Sequence, residues 1–123
     1  MAQAARLRRP RPRIPAAPAA TLALLLGAAP APAADWTVEV FLTGYRPEAL
    51  TVTAGDTITW VNRSPVPHEM AFTGDPTGGG ADYTAPVLLK TPVSLTVTRP
   101  GKYPYRCNWH GFYGLLTVRP RAD

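Results

Sequence analysis

From Trp36 onward, apolar and polar side chains alternate in short runs. Trp36, Val38, Val40 and Leu42 stand on one side of the alternation, with Thr37, Glu39 and Phe41 between them. This two-residue period is that of a half-buried strand. A turn is expected over Gly44 to Pro47, leading into Leu50 and Val52. Ala54-Gly55-Asp56 forms a second turn before Ile58, Trp60 and Asn62. Further runs follow at His68 to Phe72, Val87 to Leu89, Val93 to Thr98, Tyr103 to Cys107 and Leu115 to Val118, separated by Gly and Pro. Roughly seven to eight short strands at near-regular spacing predict an all-β sandwich or barrel. Proline recurs too often for a long helix. Between Thr73 and Ala85 the chain reads TGDPTGGGADYTA, without periodicity, and a mobile surface loop is expected there. Its glycines are not a phosphate cradle, because no Lys followed by Ser or Thr closes the motif.

The stretch before this pattern has a different character. Arg6, Arg8, Arg9, Arg11 and Arg13 occur without an acid, and an apolar run follows from Ala16 to Ala29. Small residues then give Ala-x-Ala at Ala29-Pro30-Ala31 and at Ala31-Pro32-Ala33. That order predicts a secretory signal peptide over residues 1–34, cleaved just before Asp35 or Trp36, with residues 35–123 as the domain. The run is short for a bilayer core and is broken by Pro15, Pro18, Pro30 and Pro32, so no stable membrane insertion of the domain is expected. Arg8-Arg9 lacks the rest of a twin-arginine motif and is a weak signal for that route, so general secretion to the periplasm or an otherwise exported location is the expectation, with twin-arginine export as the alternative.

Charge changes once the leader is set aside. Five of the thirteen Lys and Arg side chains lie in it, and the other eight face eight Asp and Glu. The domain is close to neutral, and the calculated basicity of the chain gives no argument for nucleic-acid binding. Cys107 is the sole cysteine and can form no internal disulfide, which leaves a bystander, a reactive thiol or a metal ligand.

The two histidines of the chain, His68 and His110, complete a set with that cysteine. Cys107-Asn108-Trp109-His110 puts a thiolate and an imidazole on one short loop, and a neighbouring strand can bring His68 to the same point. Two imidazole nitrogens and one thiolate in a trigonal set suit copper that cycles between Cu(I) and Cu(II). Zinc would need a fourth good ligand, for which only Glu69 or Asp82 could be argued. His68-Glu69-Met70-Ala71-Phe72 begins like the zinc-protease HExxH, but Phe72 occupies the second histidine's place. Ser64 and Ser94 have no triad around them. A further catalytic copper would lack histidines, so an enzyme is not expected.

Around these residues the chain resembles the cupredoxin family of small blue, type 1 copper proteins, in particular its plastocyanin- and amicyanin-like members. The resemblance spans nearly the whole domain. It rests on Pro47 to Asn62 (PEALTVTAGDTITWVN), Pro67-His68, Pro100 to Cys107 (PGKYPYRC), His110, and the closing Gly114-Leu115-Leu116-Thr117-Val118. It implies a Greek-key β-sandwich holding one copper ion through His68, Cys107 and His110.

The axial methionine common in the family has no counterpart after His110. Tyr113 stands where amicyanin-like relatives carry it and Leu115 where plastocyanin-like ones do. Met70, two residues past His68 and on the same side of a strand, is another axial candidate, although the commoner reading is core filler. Glu69, where many relatives have Asn, either braces the copper loops, approaches the metal as in red copper variants, or lies solvated near Arg63 or Arg106. The implied function is one-electron transfer, with redox proteins docking transiently near His110, Trp109 and Phe112 on a monomer. A periplasmic copper carrier or store using the same site is the alternative.

Overall fold

The structure is a computed structural model that describes residues 10, 12 and 31–122. The expected leader therefore lies outside the described residues except for Pro10, Pro12 and positions 31–34. No helix among the described residues is long and apolar enough to cross a membrane.

Nine strands form among the described residues: β1 Asp35–Phe41, β2 Gly44–Arg46, β3 Ala49–Thr53, β4 Thr57–Asn62, β5 His68–Phe72, β6 Thr84–Val87, β7 Val93–Thr96, β8 Gly101–Cys107 and β9 Phe112–Arg119. They make two sheets, ordered β2-β1-β4-β7 and β3-β9-β8-β5-β6. The expected all-β sandwich is present. The extra strand is β2, expected as a turn. It pairs antiparallel with β1 through Val40↔Tyr45, so the reversal is at Leu42 and Thr43. A three-residue strand opening on Gly44 is too short to show a period, and only Tyr45 faces the core.

The segment Thr73 to Ala85 also differs from expectation. Its last two residues belong to β6, paired Met70↔Ala85 and Ala71↔Thr84. The remainder is irregular but tethered. Asp75 accepts from Thr77 N at 2.8 Å and Gly79 N at 3.1 Å, and the Pro76 carbonyl accepts from Thr98 N at 2.8 Å. An Asx turn of this kind satisfies backbone groups that no strand partner reaches.

Alternation carries one face of each sheet inward. Val38, Val40, Ile58 and Trp60 come from one layer, and Val52, Met70, Phe72, Tyr105, Leu116 and Val118 from the other. Trp60 is fully buried and meets the rings of Phe72 and Tyr105 edge-on, each at 5.9 Å. Its indole N–H donates to the Tyr105 hydroxyl at 3.3 Å, so the polar handle of each large ring is satisfied inside the core. Burial pushes the Tyr105 phenol up to about 12, so it stays protonated. Truncating a buried indole of this kind costs about 3–5 kcal/mol.

The packing leaves no room on β9 opposite Tyr105. A Cβ at Gly114 would overlap the Tyr105 ring, which lies directly across the ladder. Glycine is thus the residue that lets β8 and β9 close at this point, two positions from the Cys107↔Phe112 pair.

Candidate metal centre

Three loops and strand ends meet at one end of the sandwich. His68 opens β5, whose alternating burial sends His68, Met70 and Phe72 inward and Glu69 and Ala71 outward. Pro65 and Pro67 hold the preceding segment extended and remove two donors from a stretch with no ladder partner. Asn62, the last residue of β4, fastens this segment: its Nδ2 donates to Val66 O at 2.7 Å and Val87 O at 3.2 Å, while its Oδ1 accepts from Ser64 N at 2.8 Å.

Cys107 ends β8 and is fully buried. A tight reversal follows, in which the Cys107 carbonyl accepts from His110 N at 3.3 Å and Gly111 N at 2.8 Å. Gly111 takes φ +75°, a left-handed conformation that L side chains rarely adopt, and the chain turns straight into β9. Glu69 secures the same loop from β5: its Oε1 accepts from Asn108 Nδ2 at 2.7 Å and Asn108 N at 3.3 Å.

These supports bring the expected donors together. Cys107 Sγ lies 3.8 Å from His68 Nδ1 and 3.5 Å from His110 Nδ1, and one ligand atom from each residue falls within 4.8 Å of the others. His68 and Cys107 are buried, whereas His110 is exposed. The cluster has the two imidazoles and one thiolate of a trigonal copper set. It fits the metal without rearranging the chain, because both Nδ1 atoms already face the sulfur.

The other nitrogen of His68 is also engaged. Nε2 lies 2.6 Å from Ser64 Oγ, and that hydroxyl lies 2.8 Å from Asn62 Oδ1 and 2.9 Å from Val66 O. Both oxygens can only accept, so the single hydroxyl proton turns toward them and Nε2–H donates to Oγ. Nδ1 is left with its lone pair toward Cys107. Burial, and then repulsion from His110, hold His68 below the ordinary imidazole value, which keeps it in the neutral form that binds metal.

The axial candidates separate by face. Cross-strand pairing of Cys107 with Phe112 places Phe112 on the inner side, with its ring 5.4 Å from that of His68 and 4.8 Å from that of Tyr45. One residue on, Tyr113 pairs with Arg106, faces outward and is 61% exposed. Leu115 shares that outer face, opposite Pro104. Glu69 is also outward and is occupied by Asn108. Of the possible axial groups, strand period and ladder register turn Tyr113, Leu115 and Glu69 away from the three-donor cluster. Met70 shares the inner face with His68 but is fully buried within the apolar core.

Sequence reasoning missed Ser64 and Asn62 as parts of the site. The signal was there in Asn62-Arg63-Ser64-Pro65, an Asx-turn composition directly before a candidate ligand.

Comparison with known proteins points the same way. Residues 37–119 match the family model described as copper binding proteins, plastocyanin/azurin family. The chain is 34% identical to plastocyanin of Prochlorothrix hollandica over 110 residues, covering 77% of this chain and 81% of the relative. It is 37% identical to amicyanin of Paracoccus denitrificans over 76 residues, covering 61% of this chain and 57% of the relative. Among solved structures, an oxidised amicyanin mutant superimposes with a TM-score of 0.62 at 29% identity, over 75% of this chain and 95% of its own. With two imidazoles and a thiolate gathered at one end of the sandwich and the family model matched over residues 37–119, the chain belongs to the plastocyanin/azurin family of copper-binding proteins.

Proposed function

We propose that this chain is an exported one-electron carrier whose residues 35–123 form the working domain, a monomer that meets its redox partners transiently around His110, Trp109 and Phe112. At the coarser level the chain is an electron-transfer copper protein rather than an enzyme, as its family and relatives imply. His68, Cys107 and His110 would hold the single ion, and the metal when bound supplies the Cu(I)/Cu(II) couple. The chain's own part is to keep the donors still. Ser64 orients His68, Glu69 braces the Cys107 loop through Asn108, and Tyr45 packs on Phe112 while its hydroxyl donates to Glu69 O at 2.6 Å. Little movement at the donors means little reorganisation when charge changes.

The observation that carries the reading is the convergence of three donor atoms within 4.8 Å, two of them buried and one exposed. Trp109, 52% exposed and next to His110, supports docking at this end. The register Val87↔His68 sets Leu88 and Leu89, both exposed, close by, which enlarges the apolar rim. A neutral apolar surface suits a short-lived contact. Cu(II) titration of the purified domain tests the assignment. An intense visible thiolate-to-copper band that disappears in Cys107→Ser is expected, and a faint band indifferent to that substitution overturns it.

A further inference from the structure

The end of the sandwich remote from the metal donors holds a polar cluster that electron transfer does not use. Asp56 is 3% exposed, yet its carboxylate is ringed with donors. Oδ1 accepts from Ala34 N at 2.8 Å and lies 3.5 Å from the Arg121 guanidinium. Oδ2 accepts from Thr53 N and from the Trp36 indole N–H, each at 3.0 Å. Burial alone would raise this carboxyl, but the N–H groups of Ala34 and Thr53, Trp36 and Arg121 outweigh it and hold it below its ordinary value. Asp56 is therefore a fixed buried anion beside the point where β1 begins.

That point coincides with the end of the expected leader. Ala31-Pro32-Ala33 presents small residues three and one positions before the Ala33–Ala34 bond, the pattern of a signal-peptide cut. The earlier Ala29-Pro30-Ala31 would leave Pro32 after the bond, where the ring removes the N–H and restricts the residue before it. Cuts before Asp35 or Trp36 would remove Ala34. Its N–H would be lost to Asp56, and its carbonyl, which accepts from Thr57 N at 3.0 Å, would be lost to β4.

Resting on the export reading above, we propose that the leader is removed at the Ala33–Ala34 bond and that the new α-ammonium of Ala34 docks on Asp56. A signal-peptidase-type enzyme would add water across the amide, leaving a carboxylate on Ala33 and an amine on Ala34 that takes up a proton. The neutral N–H now at 2.8 Å from Oδ1 is thereby replaced by a full positive charge facing a buried carboxylate. Among the described residues, the hydrogen bond given up is that of Arg121 to Ala31 O. The same guanidinium keeps Ala54 O, at 2.9 Å, and Asp56. Processing thus completes the clamp that starts the first strand.

The full-length chain, expressed in a Gram-negative host, gives the first test by intact mass and N-terminal sequencing of the periplasmic product. A first residue of Ala34 is expected. A start at Asp35, Trp36 or elsewhere, or an uncleaved chain in the periplasm, overturns this inference while leaving export intact, and a chain absent from the periplasm overturns both. The copper spectrum of the domain judges electron transfer separately. For docking, a chain starting at Ala34 is compared with the same chain acetylated on its α-amine. The free amine is expected to melt higher by roughly 4–8 °C, with the gap closing in Asp56→Asn. Equal melting, or a gap that survives Asp56→Asn, overturns docking. Should that variant not fold, a crystal structure of the chain starting at Ala34 decides: the terminal nitrogen on Asp56 supports the clamp, and a displaced terminus overturns it.

Discussion

At one end of the sandwich the buried anion Asp56 has every oxygen answered by the chain's own donors, from Ala34, Trp36, Thr53 and Arg121. At the other, His68, Cys107 and His110 aim three atoms at one another, with Phe112 rather than a further strong donor beside them on the inner face. Each end buries polar atoms, which costs free energy unless they are partnered. The Asp56 end meets that cost internally and gains stability. The metal end leaves its ligand atoms to be completed by an ion and uses neighbouring groups, Ser64 and Glu69, only to hold them in place. A polar cluster closed on itself is a fastening, while one held open and braced from behind is a site.

The sharpest way to break this contrast is at the ligands. Cys107→Ser is expected to abolish the visible charge-transfer band while leaving the copper-free fold in place, as circular dichroism would show. A variant that keeps the band would mean that the sulfur is not a ligand. Next in size is Ser64→Ala, which removes the partner of His68 Nε2 and touches neither Nδ1 nor the sulfur. Copper affinity should fall by about 10–100-fold, as is usual when the group behind a ligating imidazole is lost. In copper-free protein the 15N signature of a fixed Nε2–H tautomer should blur, and Ser64→Thr should restore part of both. Unchanged affinity together with an unchanged tautomer would remove Ser64 from the site.

At the opposite end, Asp56→Asn should cost about 1–3 kcal/mol in denaturant unfolding, since a buried hydrogen-bonding centre loses its charge and part of its acceptor capacity. The copper spectrum should not change. A spectrum that moved with Asp56 would contradict the separation of the two ends. The same region sets the acid limb of stability. Asp56 is held below its ordinary value by hydrogen bonds and Arg121 against the pull of burial, and Asp75 chiefly by the Thr77 hydroxyl. Between the lowered folded value and the ordinary one the unfolded chain binds more protons, so stability rises with pH there. The stabilisation is complete above the ordinary carboxylate range and is lost as pH falls through the folded values. Acid titration of unfolding should therefore be shallower in Asp56→Asn, and an identical acid limb would argue against the clamp. The smallest effect is expected from Arg63→Ala. The Arg63–Glu39 pair, at 3.2 Å, joins two half-exposed side chains and is worth about 0–1 kcal/mol.

What could be read from the chain follows from how local each feature is. His68, Cys107 and His110 were legible because they are rare residue types, two of them on one short loop. The strands of the core were legible because alternation repeats over several residues in β1, β4 and β8. β2 was not, since three residues opening on Gly44 carry no period. Ser64 was passed over because a lone serine gains meaning only from the nitrogen it faces. Tyr113 and Leu115 were plausible axial groups by counting from His110, but counting along the chain does not reveal which face of β9 a residue occupies.

The amino-acid sequence by itself determined the all-β character, the identity of the three donors and the loop that carries two of them, because periodicity and residue chemistry act over a few positions. Tertiary structure decided the rest. The Cys107↔Phe112 register put a phenyl ring beside the imidazoles and turned Tyr113 outward. Packing of β4 against β1 and of its loop against β5 set Ser64 behind His68, and closure of the far end wrapped Ala34, Thr53 and Arg121 around Asp56. In a pleated sheet a shift of one residue exchanges the two faces, and that shift is fixed by partners distant in the chain.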